Sequence, residues 1–98
     1  MFDKIKQIKE LREQANTMKQ ALAQETVQGE AHHGQIAIVM DGNQEVLSVE
    51  IAPELLDSDK KEDLQEYIKE AINDAIKKVQ RVMAQKMQGL GGLNMPRL

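Results

Sequence analysis

The last side-chain carboxylate in the chain is Asp74, and the 24 residues after it carry Lys77, Lys78, Arg81, Lys86 and Arg97 with no acidic side chain among them. Lysine and arginine clustered without counter-charge can do one kind of chemistry well, which is to neutralise a polyanion. The first twenty residues add Lys4, Lys6, Lys9, Arg12 and Lys19 against Asp3, Glu10 and Glu13. By segment the charge is +2 over residues 1–20, −10 over 21–76 and +5 over 77–98, for a net −3. A net acidic chain with two basic ends suits a polyanionic partner only if folding or assembly brings those ends together.

Each cation also has an ordinary reading, as half of an ion pair three or four residues away on a helix. Lys6 has Asp3 and Glu10 at that spacing, Lys9 has Glu13, and Lys77 and Lys78 both have Asp74. Lys4, Arg12, Lys19, Arg81 and Lys86 have no carboxylate at either spacing. Arg81 and Lys86 have a second ordinary reading, since cations near a helix C-terminus are favoured by its dipole by about 0.3–1 kcal/mol. Lys4, near a helix start, would be disfavoured by the same dipole, so helix stability does not account for it. The residues assigned to phosphate contact are Lys4, Lys9, Arg12, Lys78, Arg81 and Lys86. Six neutralised phosphates would lower affinity about 10³-fold between 50 and 200 mM salt.

Other reactive groups lead elsewhere. His32 and His33 are adjacent in a turn-like segment and point apart, and with no cysteine and no further histidine they do not complete a tetrahedral zinc site. No metal or other cofactor is expected. Asn73-Asp74 has no nucleophile, histidine or glycine-rich phosphate loop nearby, so it reads as a helix-packing or interface pair, and the chain does not read as an enzyme or as the receptor of a small-molecule substrate. The absence of cysteine fits a reducing compartment. No apolar run approaches the roughly 18 residues that span a bilayer, and the N-terminus lacks the apolar stretch of a signal peptide. No membrane association and a cytoplasmic location are expected.

Five segments must position these residues. Ile5, Ile8, Leu11, Ala15, Met18 and Leu22 recur at helical spacing, which predicts one amphipathic helix from Phe2 to about Gln24 with a narrow seam. Segments 26–31, 35–41 and 44–51 read as strands, with Ile36, Ile38 and Met40 on one face of the second and Leu47, Val49 and Ile51 on one face of the third. These six are assigned to core or dimer packing. His32-His33-Gly34 and Asp41-Gly42-Asn43 are the turns of an antiparallel meander, where glycine or asparagine can take positive φ. After Pro53, a helix starting at Asp57, Ser58 or Asp59 carries the stripe Leu64, Ile68, Ala71, Ile72, Ala75, Ile76, Val79, Val82, Met83 and Met87 up to Gly89. The reading is therefore an α+β fold, α-β-β-β-α, with a three-stranded antiparallel meander and two long helices on one sheet face. It forms a single domain over residues 1–88, with a flexible tail over 89–98. A core with only Phe2 and Tyr67 as aromatics is thin, and such a protomer gains from burying surface in an oligomer.

The run Gly29-Glu30-Ala31-His32-His33-Gly34, then Ile36, Ile38 and Gly42, then Val49-Glu50-Ile51-Ala52-Pro53-Glu54-Leu55-Leu56 resembles the strand region of the YbaB/EbfC family of bacterial nucleoid-associated proteins. Asn73-Asp74-Ala75, followed by basic residues and Met87, is similar at the expected distance, and element order agrees from Phe2 to about Gly89. Ala52 departs from the pattern, since the family usually places an acid before the proline. The resemblance implies a homodimer with long helices extended like tweezer arms, DNA bound near the helix ends, no catalytic activity, and a place in the nucleoid with broad influence on gene expression.

The strands carry no aromatic residue on which bases could stack, so duplex DNA held through its phosphates is the expected partner rather than RNA on a sheet. The alternative from another class is a protein-protein adaptor or structural coiled-coil module, in which the seam of Ile8, Leu11, Ala15, Met18 and Leu22 holds a partner helix and DNA is ignored.

Overall fold

The computed structural model describes residues 2–91 and has the order α1 (Phe2–Ala23), β1 (Thr26–Ala31), β2 (Ile36–Asp41), β3 (Val46–Ile51), two short 3₁₀ turns at Pro53–Leu55 and Ser58–Lys60, and α2 (Lys61–Gly91). The strands form one antiparallel sheet in the order β1-β2-β3. The meander and both helices therefore stand as the apolar periodicity indicated. The segment 92–98, most of the expected tail, lies outside the described residues. α2 continues to Gly91, past the expected stop at Gly89, because a glycine within a helix costs only about 1 kcal/mol relative to alanine.

The core lies between the sheet and one face of α2. Ile36, Ile38 and Met40 of β2 are buried against Ala71, Ala75 and Val79, with Ala31 and Leu55 closing the ends and Leu64, Ile68, Ile72, Ile76 and Met83 flanking. Alanines stand at the crossing because α2 lies directly on β1. A Cβ added to Gly29 would meet Ala71 O at 2.3 Å and Ala75 N at 2.5 Å, so only glycine fits there. The helix begins with a side-chain cap one turn early: Asp57 accepts from Asp59 N at 3.1 Å and starts the 3₁₀ turn that leads into α2. Asp57 is the first of the three expected starts.

Three expectations need correction. α1 does not share the sheet face with α2. Every residue from Asp3 to Ala21 is exposed, including the seam residues Ile8, Leu11 and Met18, and the helix projects from the domain. The chain accordingly has a radius of gyration of 18.7 Å and a long dimension of 63 Å, where a compact domain of this length would have a radius of about 13 Å. Second, of the core or dimer packing assigned to Leu47 and Val49, it is the protomer core alone that does not hold, since they are 53% and 50% exposed, while Ile51 is half-buried. A helix is about 10 Å across and strands are spaced about 4.8 Å, so one helix covers two strands; here those are β1 and β2. Third, positive φ occurs at His32, His33 and Gly34 in the first turn and at Gln44 in the second, not at Gly42 or Asn43.

Gly42 serves a different purpose, holding the base of α1. Its N–H donates to Leu22 O and Glu25 O, both at 2.9 Å, and an added Cβ would lie 2.6 Å from Leu22 O. Asn43 Nδ2 donates to Lys19 O at 3.0 Å, so the β2–β3 turn is fastened to carbonyls in the last turns of α1. Asp41, only 2% exposed, shapes that turn by accepting from Asn43 N and Glu45 N at 2.8 and 3.0 Å.

Gly29→Ala is expected to destabilise the protein by about 1–3 kcal/mol through overpacking at the β1–α2 crossing. Gly34→Ala, with open space around it, should lose less and only through backbone strain. Urea unfolding followed by the helical circular-dichroism signal measures both.

Candidate nucleic-acid interface

The charge asymmetry along the chain becomes an asymmetry along α2. Residues 61–74 carry Glu62, Asp63, Glu66, Glu70 and Asp74 against Lys61 and Lys69, whereas residues 77–86 carry only Lys77, Lys78, Arg81 and Lys86. The basic half is the half beside the base of α1. There Leu22 lines a shallow apolar groove with Gly42, Val79, Met83 and Ala84, and Lys86 reaches across to pair with Glu25. The foot of α1 thus meets the basic half of α2. From Leu22, Arg12 lies about 15 Å and Lys4 about 27 Å along α1, at 1.5 Å per residue.

The six residues assigned from sequence divide into two groups. Lys4, Lys9, Arg12 and Arg81 are exposed, and among the described residues they enter no ion pair. The Lys9–Glu13 pairing allowed by helical spacing is not made. Lys78 and Lys86 are engaged. Lys78 Nζ lies 3.1 Å from Asp74 Oδ2 and donates to Gln28 O at 2.7 Å. Lys86 is bound to Glu25, 61 positions earlier in the chain, a partner that no count of three or four residues could find. Arg81 stands ten residues before the end of α2, beyond the last turn where a helix dipole acts, so the dipole does not account for it.

Asp74 and Lys78 belong to a row of polar contacts along the outer edge of β1. Glu25 meets Lys86, Gln28 O receives Lys78, Glu30 N donates to Asp74 Oδ2 at 3.0 Å, and the His32 ring stacks on Tyr67 with centroids 4.1 Å apart and planes 12° from parallel. α2 runs antiparallel to β1, so the order on one is the reverse of the other. The stack also gives the strained His32-His33 turn a partner. Gln35 N closes that turn on His32 O at 3.2 Å, and His33 and Gly34 at its centre have the positive φ that matches the twist of the flanking strands. The two imidazoles, centroids 5.6 Å apart, are exposed. Among the described residues no group of three or more His, Cys, Asp or Glu side chains is placed to hold a metal ion, and no helix is long and apolar enough to cross a membrane.

The backbone N–H of Glu30, above all, holds the Asp74 carboxyl below its ordinary value of 3.8, aided by Lys78 and Arg81 and opposed by partial burial. Because folding lowers this pKa, the stabilisation is complete above 3.8 and is lost as pH falls through the depressed folded value.

A family model described as the YbaB/EbfC DNA-binding family matches residues 1–93. Among similar sequences, a nucleoid-associated protein of Syntrophobacter fumaroxidans is 40% identical over 98 residues, covering 99% of this chain and 89% of that one. One of Thermoanaerobacter pseudethanolicus is 35% identical over 95 residues, covering 96% and 86%. Among solved structures, an uncharacterized protein of Helicobacter pylori shares the fold at a TM-score of 0.64 and 20% identity, covering 88% of this chain and 98% of that one.

Asp74→Asn should flatten the acid limb of the stability profile. Urea midpoints measured from pH 6 downward are expected to drop below 3.8 less steeply for the variant than for the parent, and equal slopes would remove Asp74 from the clamp.

Proposed function

The chain belongs to the YbaB/EbfC DNA-binding family, and from that membership we propose that it acts as a homodimer binding duplex DNA through phosphate contacts, without catalysis, as a nucleoid-associated protein of the bacterial cytoplasm with broad effects on gene expression. The observation that supports this reading is that the foot of α1 meets the basic half of α2, while the carboxylates of residues 61–74 occupy its other half. Lys4, Lys9, Arg12 and Arg81 supply the first contacts. Lys78 and Lys86 reach phosphate by exchanging Asp74 and Glu25 for it, which at these part-exposed sites is a small cost because such pairs are worth about 0–1 kcal/mol. Few side chains at the junction can read base edges, so contacts position the protein without specifying sequence.

The adaptor reading also has an observation behind it, the exposed apolar seam of α1. The two separate by salt. Six phosphate contacts predict that affinity for a random duplex, read by fluorescence anisotropy, falls about 10³-fold between 50 and 200 mM salt. A flat profile would remove the DNA mechanism. Arg12→Glu combined with Arg81→Glu should weaken binding at least about tenfold, the loss of two contacts of about 0.7 kcal/mol or more each, with the helical signal unchanged. Glu25→Gln should strengthen binding, because Lys86 is then released to phosphate.

A further inference from the structure

α2 carries its charges along a ridge that faces away from the sheet. Ala71, Ala75 and Val79 are the buried side of this helix, and Lys77 lies two positions from both Ala75 and Val79, about 200° round the axis at 3.6 residues per turn. Asp63, Glu66, Glu70, Lys77, Arg81 and Gln88 follow one another on that outward line at spacings of three, four or seven, and all are exposed. The ridge is acidic as far as Glu70 and cationic from Lys77. Those two residues stand two turns apart, or about 10 Å.

Helical spacing offers Asp74 to both Lys77 and Lys78, and the fold chooses Lys78. The Glu30 N–H donates to Asp74 Oδ2 at 3.0 Å, which holds the carboxylate on the flank of α2 that faces the outer edge of β1. Lys78, one turn on, lies on that flank, with its Nζ 3.1 Å from Asp74 Oδ2 and 2.7 Å from Gln28 O. Lys77 is turned about 100° away from Lys78, toward solvent, and among the described residues it enters no ion pair. Its neighbour on the ridge is Arg81, four residues on. Like charges at this spacing weaken a helix, and both stand short of the last turn, where the helix dipole would favour them. Helix stability therefore accounts for neither.

We infer that Lys77 is a further phosphate contact, beyond the six assigned above, that it grips a duplex together with Arg81 along the outward ridge of α2, and that Glu70 marks where this track ends. The inference rests on the duplex-binding reading. A phosphate set between Lys77 and Arg81 removes the repulsion between them, whereas one carried past Asn73 meets Glu70 and then Glu66. The acidic half of the ridge thereby fixes which end of α2 approaches the polyanion.

Lys77→Gln and Lys69→Gln remove the same charge from the same helix, and Lys69 stands in the acidic half, bound to Glu66 at 2.7 Å. Variants of the full chain are titrated against a random fluorescent duplex by anisotropy at 50 and 200 mM salt, and their urea midpoints are measured in parallel. Lys77→Gln is expected to shrink the salt-induced fall in affinity by a factor of about 3.5, the share of one phosphate, without lowering the urea midpoint. Lys69→Gln should leave the fall unchanged, and Glu70→Gln should bind more tightly at 50 mM salt. Equal effects of the two lysine variants would reduce Lys77 to a part of the overall charge, and a lowered midpoint for Lys77→Gln would make it a structural residue. Either overturns the assignment of Lys77, and no gain for Glu70→Gln overturns the boundary. A parent protein whose affinity ignores salt would refute the duplex reading itself, while a salt-dependent parent matched by Lys77→Gln would refute only the contact inferred here.

Discussion

The structure depends on how closely α2 lies against β1. Gly29 removes the side chain that would separate them, Ala71 and Ala75 meet it with the smallest side chains that still favour a helix, and polar groups along the strand's outer edge fasten the two elements from Glu25–Lys86 to His32–Tyr67. The close approach has a geometric consequence. A helix seated over β1 and β2 cannot also shelter β3, so apolar residues of the third strand remain on the surface of the protomer. The same seating closes one edge of the sheet, leaving the opposite side as the place where anything further can be added.

Much of this was legible in the residues, for reasons that can be stated. The helical spacing of Leu64 to Val79 and the alternation of Ile36, Ile38 and Met40 report burial on one face, which is what produces such patterns. Turn positions were marked by Gly34 and Gly42. Their reasons differed from expectation, since Gly42 is required by the nearness of Leu22 O rather than by its own φ, and Gln44 takes the left-handed conformation instead. Alternation in β3 looked the same as in β2 because sequence records that a face is apolar and not what covers it. For Leu47 and Val49, and likewise for the seam of α1, no covering surface stands among the described residues.

The charges were legible in distribution and not in pairing. Counting three and four residues along a helix found Asp74 for Lys78, yet it offered Lys9 a partner it does not take and left Lys86 without the one it has. The Lys86–Glu25 contact depends on α2 passing the end of α1, a tertiary fact. It has a second effect, tying the foot of the N-terminal helix to the basic part of the C-terminal one although more than fifty residues separate them in sequence.

Among the described residues α1 is held only near its C-terminal end, by Gly42, Asn43 and the groove around Leu22, which makes it a lever with its fulcrum at one end. Tilting such a rod by about 10° about Leu22 carries the neighbourhood of Lys4, about 27 Å away, through about 5 Å. That travel exceeds the 3.4 Å axial step between successive phosphates on one DNA strand. In the DNA complex proposed above, an ammonium at the tip would therefore change which phosphate it meets while the sheet stays still.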